Sequence, residues 1–109
     1  MAYNISITRI AEEHLRALSV RDRKIVESAI LARLVEQPTV ESNAILKLRP
    51  NPLAQYELRV QRFRVLYNVD IMNTEVILLL VGIKDGNRLI VEGEEFHGHR
   101  SDSGQSSSE

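Results

Sequence analysis

The residues best equipped for chemistry lie in one short stretch, Glu57-Leu58-Arg59-Val60-Gln61-Arg62-Phe63-Arg64-Val65. If Gln61-Arg62 is a two-residue hairpin turn, Val60 faces Phe63 and Arg59 faces Arg64. Two guanidinium groups directly opposite on one sheet face repel each other by a fraction of ~1 kcal/mol. A bound anion turns that cost into attraction, because the forked donors of arginine match phosphate geometry. Lys84 and Arg88, flanking the next turn, extend the patch, and Lys47 approaches from the loop side. The alternative is a solvated charged face in which Glu57 or the acidic end of the chain partners the arginines.

Charge is distributed in keeping with such a patch. The formal net charge is −1, but from Lys47 to Arg64 there are five basic residues and one acidic, a balance of +4. From Glu92 to Glu109 there are five acidic residues and one basic, a balance of −4. Local charge, and not the whole-chain value, governs attraction of an anionic partner. With no cysteine, the chain forms no disulfide and no cysteine-ligated metal site. His97-Gly98-His99 is too small a set in a Ser-rich tail to read as a metal centre, so neither metal nor cofactor is expected. His14 reads as a surface or boundary residue. No apolar run reaches the length of a membrane span, and Met1-Ala2-Tyr3-Asn4 lacks the features of a signal peptide, so a cytoplasmic protein without membrane partners is expected.

The elements that must position the patch follow from periodicity. Tyr3–Ile7 alternates as a half-buried strand. Thr8 and Ser19 are placed to cap two successive helices, with Asp22 in a capping-box-like position after Ser19. Ala11, Leu15 and Leu18 give the first helix an apolar face. Ile25, Val26, Ala29, Ile30, Ala32 and Leu34 give the second a broad stripe, and Pro38 stops it. Residues 39–55 are irregular. Tyr56–Val60 and Arg62–Asp70 alternate as strands, while Thr74–Ile83 is almost continuously apolar, as in a strand covered over most of its length. Leu89–Val91 adds a short final strand. The expected fold is α+β, a two-helix hairpin packed on a mostly antiparallel sheet of about four strands. The domain is expected over residues 1–96, with a disordered Ser-rich acidic tail over 97–109. The far face of the sheet is expected to be largely solvated.

The hairpin, continued through Leu66-Tyr67-Asn68-Val69-Asp70, resembles that of RelE/ParE-type toxins, which run Leu-Arg-Val-Gly, about two variable residues, then Arg-Val-Ile/Leu-Tyr. The Val76–Val81 strand followed by Gly82-Ile83-Lys84, the Ala11–Leu15 helix and Pro38 extend the resemblance over about residues 3–91. It is closest to the RelE branch. The resemblance implies the toxin of a type II toxin–antitoxin system, a ribosome-dependent endoribonuclease that cuts mRNA by attack of the RNA's 2′-hydroxyl on the adjacent phosphate. Its implied partners are a cognate antitoxin, in a hetero-oligomeric complex, and the ribosome with its mRNA. Arg59, Arg64 and Lys84 match the family's catalytic basic positions. Lys47, Arg62 and Arg88 are expected to bind substrate. The chain departs from the family pattern at three points: Gln61 replaces the hairpin glycine, Glu57 stands where some active members carry lysine, and Asn87–Val91 lacks the usual Tyr or His. The alternative implied readings are a ParE-like inhibitor of DNA gyrase, or a catalytically inactive relative that binds an antitoxin.

Overall fold

The structure is a computed structural model describing residues 2–96. The tail expected over 97–109, with His97 and His99, lies outside them.

A strand, β1 (Asn4–Ile7), leads into α1 (Arg9–Ala17) and α2 (Val20–Leu34). Thr8 Oγ1 accepts from Ala11 N–H at 3.1 Å and Ser19 Oγ accepts from Asp22 N–H at 3.1 Å, so both hydroxyls satisfy amides that a helix start leaves open. The Asp22 carboxylate does not reach back to complete a capping box. It accepts from Arg62 at the far end of a hairpin. Six more strands follow: β2 (Ile45–Lys47), β3 (Tyr56–Val60), β4 (Phe63–Asp70), β5 (Glu75–Asp85), β6 (Arg88–Val91) and β7 (Glu94–Phe96). The sheet order is β2-β3-β4-β5-β6-β7, with β1 running parallel to the first half of β5. The α+β class is as expected, but the sheet has seven strands rather than about four. The two wholly unforeseen strands, β2 and β7, are three residues each, too short to show a period.

The main core lies between helices and sheet. Val26, Ile30 and Leu34 of α2, and Ala11 and Leu15 of α1, meet Leu58, Phe63, Val65, Tyr67, Val76 and Leu78. Within it Tyr67 stacks on Tyr56, with ring centroids 5.4 Å apart, and its hydroxyl donates to the Pro38 carbonyl at 2.6 Å. α2 ends at Leu34, before Pro38 is reached, and the Pro38 carbonyl anchors the following loop. Burial, then the neighbouring Tyr56, pushes the Tyr67 phenol well above the ordinary tyrosine value. The folded state therefore keeps a proton that the unfolded chain releases near pH ~10. Stability is complete below that pH and falls as pH rises beyond it. Tyr67→Phe is expected to cost about 1–2 kcal/mol at neutral pH, because the Pro38 carbonyl loses its donor. It should also flatten the alkaline decline. Urea unfolding at neutral and alkaline pH measures both.

The far face of the sheet is not largely solvated. A second core of Ala54, Leu66, Leu80 and Leu89, with Leu48, Leu53, Leu79 and Val91 against it, covers part of that face. A bulge makes this possible. Leu66 pairs with Leu80 but Tyr67 pairs with Leu78, so Leu79 is an extra residue and Leu78 and Leu80 face opposite sides. The basic residues are thereby confined to the hairpin end of the face.

His14 is buried, contrary to its reading as a boundary residue. On one edge β5 pairs with β1 up to Leu78 and with β6 only from Ile83. In that interval the Val81 N–H donates to His14 Nδ1 at 3.2 Å. The imidazole serves as a backbone acceptor where the sheet changes partner.

Candidate nucleic-acid interface

The β3–β4 hairpin closes through Gln61 and Arg62 with the expected register, Val60 opposite Phe63 and Arg59 opposite Arg64. Gln61 has φ of 54° and Arg62 is not in the left-handed region. Positive φ at the first turn residue alone is the type II′ pattern, which favours glycine. The β5–β6 turn places Gly86 in that conformation, at φ 62°. Gln61 tolerates it at a cost of about 1 kcal/mol.

The two arginines share one face and are held differently. Arg64 is half-buried. Its Nη1 donates to the carbonyls of Gln61 at 2.8 Å and Phe63 at 2.7 Å, which fixes the guanidinium over the turn. Its Nε is buried without a hydrogen-bond partner. Burial pushes its pKa down from the ordinary arginine value, Glu57 pulls it up and Arg59 pushes it down. It remains a cation at neutral pH. Arg59 is exposed, and its Nε lies 3.3 Å from Glu57 Oε1. Glu57, on the same face, is only 4% exposed. One buried carboxylate thus faces two guanidiniums, and the cluster keeps a net positive charge. Glu57→Gln is expected to tighten binding of a short RNA oligonucleotide. It should also destabilise the fold by about 1–2 kcal/mol, a value reduced from that of a fully buried pair because Arg59 is solvated. Anisotropy titration and thermal melts check the two effects.

Lys84 joins this face by register. Arg64 pairs with Gly82, and Lys84 lies two residues further along β5, opposite Leu89 of the second core. Its N–H donates to the Arg62 carbonyl at 2.7 Å, which ties the end of β5 to the hairpin turn. The structure therefore brings Arg59, Arg64 and Lys84 to one surface. It does not bring Lys47, Arg62 or Arg88 there. Lys47 pairs with Tyr56 and so falls on the helix side of the edge strand. Arg62 bonds Asp22 Oδ2 at 3.2 Å, with its guanidinium 4.7 Å from the centre of the Phe63 ring. Arg88 pairs with Asp85 at 3.0 Å. Local alternation gave the face of Arg59 and Arg64, whereas the side taken by Lys47 depends on an edge strand too short to be recognised.

A groove of about 490 Å³ opens beside the arginine pair and is also lined by Arg33, Ser42 and Asn43. These three lie on the last turn of α2 and in the loop before β2. No sequence signal ties them to the hairpin, because their proximity is created only by β2 pairing with β3. No group of three or more His, Cys, Asp or Glu side chains among the described residues is arranged to hold a metal ion. No helix among them is long and apolar enough to cross a membrane.

No protein-family model and no curated protein matches the chain. Solved structures do. The chain is similar to the toxin–antitoxin complex RelBE2 of Mycobacterium tuberculosis, with a TM-score of 0.67 and 24% identity over 77% of this chain and 100% of that one. It is similar to the isolated RelE toxin of E. coli, with a TM-score of 0.64 and 26% identity over 77% of this chain and 86% of that one. It is also similar to a mutant E. coli RelE in complex with an antitoxin RelBc peptide, with a TM-score of 0.60 and 28% identity over 79% of this chain and 87% of that one. With the hairpin sequence and its observed register, this likeness marks the chain as a RelE-like toxin.

Proposed function

We propose that the chain is the toxin of a toxin–antitoxin pair and cuts mRNA on the ribosome. The observation that carries this reading is the cross-strand pairing of Arg59 with Arg64 on one face, beside a single buried carboxylate. In the reaction the RNA's 2′-hydroxyl gives its proton to water and attacks the neighbouring phosphorus, the bond to the 5′-oxygen breaks, that oxygen takes a proton from water, and the products are a 2′,3′-cyclic phosphate and a 5′-hydroxyl end. Negative charge grows on the phosphoryl oxygens in the transition state. Arg64 has its Nη1 held by two carbonyls and its Nε buried, which leaves Nη2 as the fixed donor to that charge. Lys84 adds a second positive charge. Arg59, more exposed, holds the substrate phosphate. Both arginines act by charge and orientation, not as bases. Lys47, Arg62 and Arg88 would attract RNA only from outside this patch. The solved relatives include complexes with antitoxins, which supports an antitoxin partner here.

Purified protein added to a bacterial translation mixture is expected to cleave mRNA only when ribosomes are present. Intact message with active ribosomes would overturn this reading. The buried Glu57, and a β6 stretch without Tyr or His, favour a second one, a ParE-like gyrase inhibitor. Gyrase inhibition without translation arrest would select it.

A further inference from the structure

The groove beside the hairpin holds more positive charge than the proposed cleavage chemistry uses. Arg33, from the last turn of α2, meets Arg59 and Arg64 around it, with Ser42 and Asn43 between them. Three guanidiniums from three elements thus converge, and no acidic residue lines the groove among the described residues. Of the groove's arginines, Arg59 is paired with Glu57 at 3.3 Å, and three arginines away from the groove are also paired. Arg16 lies 3.0 Å from Glu12, Arg62 3.2 Å from Asp22 and Arg88 3.0 Å from Asp85. Arg33 forms no ion pair among the described residues. The acidic residues nearest in sequence, Glu27 and Glu36, do not line the groove, nor does Glu41, whose Oε1 accepts from the Lys47 N–H at 3.3 Å.

We propose that this groove is a second phosphate subsite, binding the backbone of single-stranded RNA one step away from the phosphate held at Arg64. It rests on the RNA-cleaving reading and adds a residue to it. Arg33 is a binding residue for the flanking phosphodiester, approached from the helix layer while Arg59 and Arg64 approach from the sheet. The Ser42 Oγ accepts from the N–H groups of Ala44 at 3.1 Å and Ile45 at 3.2 Å. Both acceptor directions of the oxygen are therefore occupied, which leaves its O–H free to donate to a ligand in the groove it lines. The Asn43 amide supplies another donor. The carbonyl end of α2 opposes an anion there, but that effect is at most about 1 kcal/mol at an exposed site and falls off within a turn. Three guanidiniums outweigh it. The volume of about 490 Å³ leaves room for a phosphate with its sugar.

The test uses the full chain and a fluorescent 2′-O-methyl oligoribonucleotide, which lacks the attacking hydroxyl and is not cut. Arg33→Gln is expected to weaken binding about five-fold and to make the dependence of log Kd on log salt shallower by about 0.7, the share of one phosphate contact on a single strand. Arg16→Gln removes the same charge from the exposed face of α1 and is expected to bind like the wild type. Arg33 is exposed, and a melting curve confirms that each variant is folded. Equal affinity of Arg33→Gln and wild type would overturn the subsite, as would an equal loss in Arg16→Gln. Message cleavage by the wild type is followed in parallel. Cleavage with unchanged Arg33→Gln affinity removes the subsite and keeps the proposed function. Weakened Arg33→Gln binding without wild-type cleavage keeps the subsite and removes the nuclease.

Discussion

Arg64→Ala is expected to lower ribosome-dependent mRNA cleavage by about 10²–10³-fold, the loss typical of removing one preorganised donor from a site of developing negative charge. The argument is geometric. Arg64 is the more firmly held guanidinium of the pair, by the carbonyls of Gln61 and Phe63 at 2.8 and 2.7 Å, while Arg59 is exposed and has one longer contact, 3.3 Å to Glu57. A fixed donor needs no reorganisation as charge develops on the phosphoryl oxygens, whereas a mobile one does. The stability of the variant should change little. It loses two hydrogen bonds over the turn, but it also loses the repulsion from Arg59 and the buried, unpartnered Nε. Arg64→Lys separates charge from geometry, because it keeps the cation and loses the fork. It should recover only part of the rate. Single-turnover cleavage in a translation mixture, with melting curves as the fold control, measures these effects. If Arg64→Ala cleaves within a few-fold of wild type, the chemistry lies elsewhere.

The face of the arginine pair was legible because a hairpin needs only period two and a turn length, both local quantities. The helix starts were legible for the same reason. Thr8 and Ser19 cap because each hydroxyl sits three residues ahead of the amide it accepts from. The unread features are those that several distant segments create together. The run from Val76 to Val81 has no alternation to break, so nothing marks Leu79 as the bulged residue that sends Leu80 to the far face. The cover over Leu66 comes from Leu53 and Ala54 in a loop whose turn residues show only that the chain bends. Asn51 shapes that bend: its Oδ1 accepts from the N–H groups of Leu53 at 2.8 Å and Ala54 at 3.0 Å. Arg33 carries no sequence signal of a site. It becomes part of a site only through the pairing of Ile45 with Leu58, which brings the preceding loop against the hairpin.

Gly82→Val is expected to destabilise the fold by about 3 kcal/mol, with a drop in Tm of roughly 10–20 °C for a domain of this size. Gly82 is the β5 partner of Arg64, and β6 crosses so close to it that no side chain fits. A Cβ there would stand 2.9 Å from the Ile90 carbonyl oxygen and 3.0 Å from both Leu89 Cδ1 and Val91 Cγ2. The two side chains can rotate, but the carbonyl belongs to the β5–β6 ladder, where Ile83 pairs with Ile90 and Lys84 with Leu89. Relief of the clash must therefore shift β6, which loosens the second core and moves Lys84 relative to Arg64. Gly86→Ala is the matched comparison. Gly86 has φ of 62° but nothing within 4 Å of its Cβ position. Its only cost is the left-handed backbone, about 1 kcal/mol, or roughly 5 °C in Tm. One glycine is required by space and the other by conformation. Cleavage measured well below both melting points then separates their functional roles. The Gly82 variant should lose most of its rate because the basic face is deformed, and the Gly86 variant should keep it. A Gly82→Val protein that melts within a few degrees of wild type would mean that β6 does not lie this close, and that the edge of the basic face beside Arg64 is open rather than closed by Leu89 and Val91.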